Sequence, residues 1–106
     1  MQNSSTVTII PWDSTEPPSE SVIRSILAEE NLKPYAWGNK PGDVYQEHTH
    51  DYPKVIYVLQ GSITFGLPEE GRQVTLKAGD RLDLPAGTQH NAVVGVNGVR
   101  CLEAHR

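Results

Sequence analysis

From Tyr35 onward the chain is a close succession of short β-prone runs, each cut off by turn-forming residues. This pattern constrains the fold more than any other feature. No run there has the length or the 3.6-residue period of a helix, and many short strands at close spacing imply a barrel or a sandwich. Asn39–Lys40–Pro41–Gly42 makes the first turn. Val44 to His50 alternates, which places Val44, Gln46, His48 and His50 on one face and Tyr45, Glu47 and Thr49 on the other. Lys54 to Gln60 is a strand with apolar residues on both faces, and Ser62 to Leu67 is a further strand closed by Pro68–Glu69–Glu70–Gly71. Val74 to Lys77 and Arg81 to Leu84 flank Ala78–Gly79–Asp80. After the break at Pro85–Ala86–Gly87, Ala92 to Val96 and Val99 to Ala104 flank Asn97–Gly98, a pair that favours a two-residue hairpin loop.

The residues before Tyr35 differ. Residues 1–18 are expected to form an extended arm, with a short strand at Val7, Ile9 and Ile10 stopped by Pro11. One helix follows. Ser19 is its N-cap, Glu20 lies in the first turn, and Val22, Ile23, Ile26 and Leu27 share a face. Asn31 is a natural stop and Pro34 prevents continuation. The expected organisation is one domain, with an arm and helix over residues 1–34 and a barrel over residues 35–106.

Composition narrows the function. A chain of 106 residues has room for one domain. The net charge of −4 and the absence of any Lys or Arg cluster argue against nucleic acid. No stretch approaches the ~20 apolar residues of a membrane span, and the first residues do not resemble a signal peptide. The single cysteine, Cys101, precludes an internal disulfide and suits a reducing, cytoplasmic home. A small-molecule ligand is the expected partner. A homodimer is also expected, because Val55, Tyr57 and Leu59 form a second apolar face on the strand whose other face carries Lys54, Ile56 and Val58.

The chemistry is concentrated in histidines. His48 and His50 stand at i and i+2 on a strand, so both project from one side, ~6–7 Å apart at Cβ, close enough to share a metal ion. His90, just after the Pro85–Gly87 turn, is the candidate third ligand. His-x-His alone also occurs on solvated strand faces.

The spacing Gly42-x5-His48-x-His50-x3-Lys54-x6-Gly61 resembles the first motif of the cupin superfamily, and Gly79-x5-Pro85-x-Gly87-x2-His90 resembles the second. The resemblance spans roughly residues 35–104. It implies an all-β, cupin-type jelly-roll barrel, with a metal near its centre held by the motif histidines and usually a glutamate. Two positions depart from the motifs. The closing asparagine of the second is Val94, and the glutamate of the first is Lys54. An ammonium has no lone pair to give a metal. The resemblance then leaves a three-histidine site, which suits Zn or Fe, with Ni or Cu also compatible, and does not favour Mn. Such a barrel that has lost its metal is the alternative.

The motif also implies that Lys54 points inward. There it is a candidate catalytic residue, as a proton carrier or Schiff-base nucleophile, or else a structural partner of a carboxylate or a bound anion. If Asn97–Gly98 closes a hairpin, Ala92 faces Glu103 and His90 faces His105, which puts Glu103 on the side of His90. Glu103 then either pairs with Lys54 or replaces the missing carboxylate ligand. His105 is expected to fray, and Tyr35, Trp37, Tyr45, Tyr52 and Tyr57 to serve core or interface. Two functions fit this reading: a small metalloenzyme of dioxygenase or isomerase type acting on a small molecule, anionic or neutral, and a non-catalytic barrel that binds or senses a ligand or metal.

Overall fold

The computed structural model describes residues 6–106, so the first five residues of the expected arm lie outside it. The strand-and-turn pattern becomes seven strands. In chain order they are β1 (Thr8–Ile10), β2 (Tyr35–Asn39), β3 (Val44–His48), β4 (Lys54–Leu67), β5 (Arg72–Lys77), β6 (Arg81–Leu84) and β7 (His90–His105). The helix α1 spans Glu20–Glu29 and a single 3-10 turn spans Pro68–Glu70. None of the described helices is long and apolar enough to cross a membrane.

Two of the expected elements are longer than the turn residues suggest. The segments 54–60 and 62–67 are one strand, β4, and the expected hairpin at Asn97–Gly98 does not exist, because residues 90–105 run on as β7. The two long strands pair antiparallel with each other along their length. Each half of β7 therefore finds its ladder partner on β4 and has no need to fold back on itself. Gly98 does take the positive φ that a hairpin would require (76°), but spends it on a bulge. Gly61 pairs with Val99 and Ile63 with Val94, so residues 95–98 stand opposite Ser62 alone. Gly61 also has φ of 76°, and a Cβ there would lie 2.0 Å from the Gly98 carbonyl oxygen. Only glycine fits this crossing.

The bulges let β4 and β7 pass from one layer to another. Their outer halves, 54–57 and 99–105, pair with β6 and β2, and β1 pairs with β6. Their inner halves, 62–67 and 90–94, pair with β5 and β3. The hydrogen-bonded order β1-β6-β4-β7-β2, with β5 and β3 attached to the long strands, does not close into a ring. It is an all-β jelly roll of two facing layers, as expected. Ile56, Val58, Ile63, Phe65, Leu67, Leu76, Leu82, Leu84 and Val94 fill the space between them.

The helix lies on the outside. Ser19 accepts a hydrogen bond from Val22 N–H at its start. At its end Asn31 sits at φ 62°, with Leu32 N–H bonded to Leu27 O and Asn31 N–H to Ala28 O, a left-handed cap that explains the stop there. Ile23 and Leu27 are fully buried against Val55, Tyr57 and Leu102. Each such side chain contributes roughly 1.5–3 kcal/mol on burial. Val22, assigned to the same stripe, is instead exposed. The apolar face of β4 that suggested a homodimer is thus covered by the chain's own helix. Arg81 fastens the helix end, reaching Glu30 at 2.6 and 2.9 Å, Asp83 at 2.7 Å and the Tyr57 ring at 5.5 Å.

Candidate metal centre

His48 and His90 are cross-strand partners on β3 and β7, which sets their rings 4.3 Å apart. The strand reaches this position through a bulge. Tyr45 pairs with Ala92 and His48 with His90, so three steps on β3 match two on β7. The extra residue reverses the alternation. Tyr45, rather than Gln46, shares the inner side with His48, while Val44 is 64% exposed. The expected face of Val44, Gln46, His48 and His50 is corrected accordingly: only the two histidines of that set face inward.

His50 lies just beyond β3. Its carbonyl accepts from Gly87 N–H at 2.7 Å, which ties this loop to the turn before His90. The ring of His50 stands 4.8 Å from that of His48 and 5.3 Å from that of His90. One ligand atom from each of the three lies within 4.8 Å of the others. The two motifs therefore meet at a single point, where three imidazole nitrogens can hold one ion.

The donor set fits a metal. The Nδ1 atoms of His48 and His90 donate to the carbonyls of Gln46 (2.6 Å) and Thr88 (2.9 Å), leaving each Nε2 free as a ligand. His50 Nε2 is buried with no hydrogen-bond partner, the one such side-chain nitrogen or oxygen among the described residues. A buried polar atom is normally satisfied, and an ion would satisfy this one. Burial pushes the His90 imidazole down to about 4, helped by the charges of His48, Lys54 and His50 against the opposing bond to Thr88. Burial also lowers His50, with Lys54 and His48 acting the same way. Both are therefore neutral near pH 7, the form a metal requires.

Lys54 points into the same cavity, of about 290 Å³. Its Nζ lies 3.5 Å from Glu103 Oε2, and both side chains are less than a tenth exposed. Glu103 also accepts from Tyr35 Oη (2.6 Å), His105 Nε2 (3.0 Å) and Trp37 Nε1 (3.0 Å). Burial alone would raise its pKa. The Tyr35 bond, the Lys54 charge and the His105 and Trp37 bonds outweigh it and hold the carboxyl below its ordinary value. With its lone pairs engaged in this way, Glu103 is the partner of Lys54 rather than a substitute ligand. The sequence placed it on the correct side through a hairpin that does not form. The actual cause is the direct pairing of Ile56 with Glu103 in the β4–β7 ladder.

Other site residues escaped the sequence. Tyr35, Trp37, Tyr45 and Tyr52, assigned to core or interface, line the cavity. Tyr57 alone of that group packs under the helix. His105 does not fray: it pairs with Lys54 in the ladder, bonds Glu103, and lies 4.2 Å from the Tyr52 ring. The one available signal was the i, i+2 spacing of Tyr35 and Trp37, but its meaning depends on β2 lying beside Glu103, where Tyr35 pairs.

Fold, motif order and histidine geometry together define a small cupin with a metal-binding constellation. The cupin domain family matches residues 37–101, and the chain belongs to that family. Over 59 residues it is 36% identical to the acireductone dioxygenase of Danio rerio, covering 53% of this chain and 33% of that protein. Over 47 residues it is 45% identical to acireductone dioxygenase 1 of Pectobacterium atrosepticum, covering 42% of this chain and 27% of the relative. The chain thus spans a third or less of the length of these curated relatives. Among solved structures, it resembles the polyketide cyclase RemF from Streptomyces resistomycificus, with a TM-score of 0.62 at 28% identity over 70% of this chain and 54% of that one. A DUF861 family protein from Thermotoga maritima shares the fold over 95% of this chain and all of its own, with a TM-score of 0.62 at 20% identity.

Proposed function

We propose that this chain is a metal-dependent enzyme of oxygenase or isomerase type acting on a small anionic molecule, an enolate or carboxylate. The observation that carries this reading is the buried Lys54–Glu103 pair facing the cavity that holds the three histidine ligands. A protein that only stored a metal would have no need of a buried ammonium beside it, since placing one cation near another costs free energy. Glu103 supplies the counter-charge, and a substrate that brings negative charge would give the ammonium a second partner inside the cavity. The partial likeness to acireductone dioxygenases supports the oxygenase form of this reading, and the likeness to a polyketide cyclase supports a small organic substrate.

His48, His50 and His90 would hold the ion, with Zn or Fe favoured and Ni or Cu compatible. When bound, such an ion supplies Lewis-acid polarisation of a substrate oxygen and, if iron, access to dioxygen chemistry. The protein does the rest. Lys54 Nζ binds the anionic oxygen and is placed to give it a proton. Glu103, fixed by Tyr35, Trp37 and His105, keeps that ammonium oriented. Phe65, Trp37 and Tyr45 provide flat aromatic walls.

The test loads metal-free protein anaerobically with Fe(II) or Zn(II). It then follows oxygen uptake and substrate NMR spectra with a panel of small enediols and 1,3-dicarbonyl acids. Metal-dependent turnover, lost in His90→Ala and reduced in Lys54→Met, is the expected result. Tight binding of these compounds without turnover would instead assign the barrel to ligand binding or sensing, and failure to retain any metal would remove the metalloenzyme reading.

A further inference from the structure

The three histidines are oriented by different means. The Nδ1 atoms of His48 and His90 face backbone carbonyls, which only accept, so their tautomers are fixed by the main chain. His50 has no such carbonyl. Its Nδ1 faces the hydroxyl of Tyr52 at 3.3 Å. A proton on His50 Nε2 would be buried without an acceptor, whereas a proton on Nδ1 can be donated to Tyr52 Oη. That second tautomer aims the bare Nε2 at the cluster.

Tyr52 is itself braced. Its ring lies 4.2 Å from that of His105 at an interplanar angle of 37°, and His105 Nε2 bonds Glu103 Oε2 at 3.0 Å. His105 makes its ring contacts with Tyr52 and Tyr35. A continuous series of contacts therefore runs from Glu103 through His105 and Tyr52 to His50.

We infer that Tyr52 is the positioning residue for His50, selecting the tautomer that presents Nε2 to a metal, and that His105 holds Tyr52 in place. This rests on the reading that the three histidines bind an ion. It links the ligand set to the Lys54–Glu103 pair by contact, so the strength of metal binding depends on residues that ligate nothing. Orienting partners of metal-bound imidazoles commonly carry such weight.

Two measurements test it. The first is Zn(II) affinity by competition with a chromophoric chelator. Tyr52→Phe keeps the ring stacked on His105 and removes only the hydroxyl, and it should weaken binding about ten- to a hundred-fold. His105→Ala should weaken binding too, and the double variant should lose no more than Tyr52→Phe alone, because both act through the same hydroxyl. Parental affinity in Tyr52→Phe, or independent additive losses, would overturn the inference. The second is the His50 tautomer in metal-free protein, read from imidazole 15N shifts. The parent should carry its proton on Nδ1 and Tyr52→Phe should show a mixture, so an unchanged tautomer overturns the inference. If the parent itself binds no zinc, the three-histidine reading fails, while the tautomer measurement still decides the role of Tyr52.

Discussion

Replacing Glu103 with glutamine isolates what the buried carboxylate contributes. The substitution keeps size and shape but removes the charge and turns one accepting oxygen into a donor. In the parent, one oxygen accepts from Tyr35 and His105 and faces Lys54, and the other accepts from Trp37. Even the best amide orientation leaves the Trp37 indole N–H facing an NH2 group, an unsatisfied donor worth about 1–3 kcal/mol. Lys54 is left buried without its counter-charge, and breaking a buried pair from one side costs about 3–5 kcal/mol. The two terms overlap, so the total is about 3–5 kcal/mol. No solvent discount applies, because the paired side chains are 9% and 7% exposed. Lys54→Met should cost less, about 1–3 kcal/mol, since Glu103 keeps three hydrogen-bond donors. Pairing Lys54→Met with Glu103→Leu should recover much of the loss, as apolar replacements of buried pairs do. Urea denaturation of the metal-free protein at pH 7 measures each value from the shift in midpoint at constant slope. A loss of 3 kcal/mol should also lower Tm by roughly 12 °C or more at this chain length. The carboxyl of Glu103 titrates lower in the folded chain than in the unfolded one. Its contribution is therefore present above the ordinary carboxylate range and lost as the pH falls through its folded value, and the parent and Glu103→Gln curves should converge in acid. A Glu103→Gln protein within about 1 kcal/mol of the parent at pH 7, or a gap that does not narrow in acid, would refute the reasoning.

Other outcomes follow from the same geometry. Metal analysis should find about one divalent ion per parent chain and a large loss in His48→Ala and in His90→Ala; full occupancy in either variant would remove that residue from the ligand set. The folded His90 imidazole titrates at about 4 against an ordinary 6.5, so the stability that depends on its neutral form is complete above 6.5 and lost as the pH falls towards 4. Acid unfolding of the metal-free protein should show up to about 3 kcal/mol of loss in that window, absent from His90→Phe. Gly61→Ala should cost more than about 1 kcal/mol, because its Cβ would meet the Gly98 carbonyl at 2.0 Å at a positive φ, and a parental melting curve would show that the β4–β7 bulge can relax. Leu27→Ala should cost about 2–5 kcal/mol by thermal or urea unfolding, through the cavity it leaves between α1 and the Val55–Tyr57 face.

Local chemistry was enough to determine much of this protein. Short β-prone runs between turn residues specify an all-β fold, and the Ser19 cap and the Asn31 stop bound the one helix, because caps and strand periodicity act over a few residues. The two spaced motifs singled out His48, His50 and His90, and the fold gathers these three into one cluster that could hold an ion, although His50 lies beyond the end of β3. What the sequence left open depends on which strands become neighbours. Asn97–Gly98 has the composition of a hairpin loop, but β4 offers both halves of β7 a partner, and a ladder that continues through a bulge replaces the turn. A single extra residue in β3 exchanged Gln46 for Tyr45 on the inner face, an outcome that alternation alone cannot foresee. Glu103, Trp37, Tyr35, Tyr52 and His105 are separated along the chain by up to 70 residues, as in the Tyr35–His105 contact. Their assembly around Lys54 exists only because β2 and β4 flank the last residues of β7, so the histidine motifs were written in the local sequence and their polar surroundings were decided by the register of the sheet.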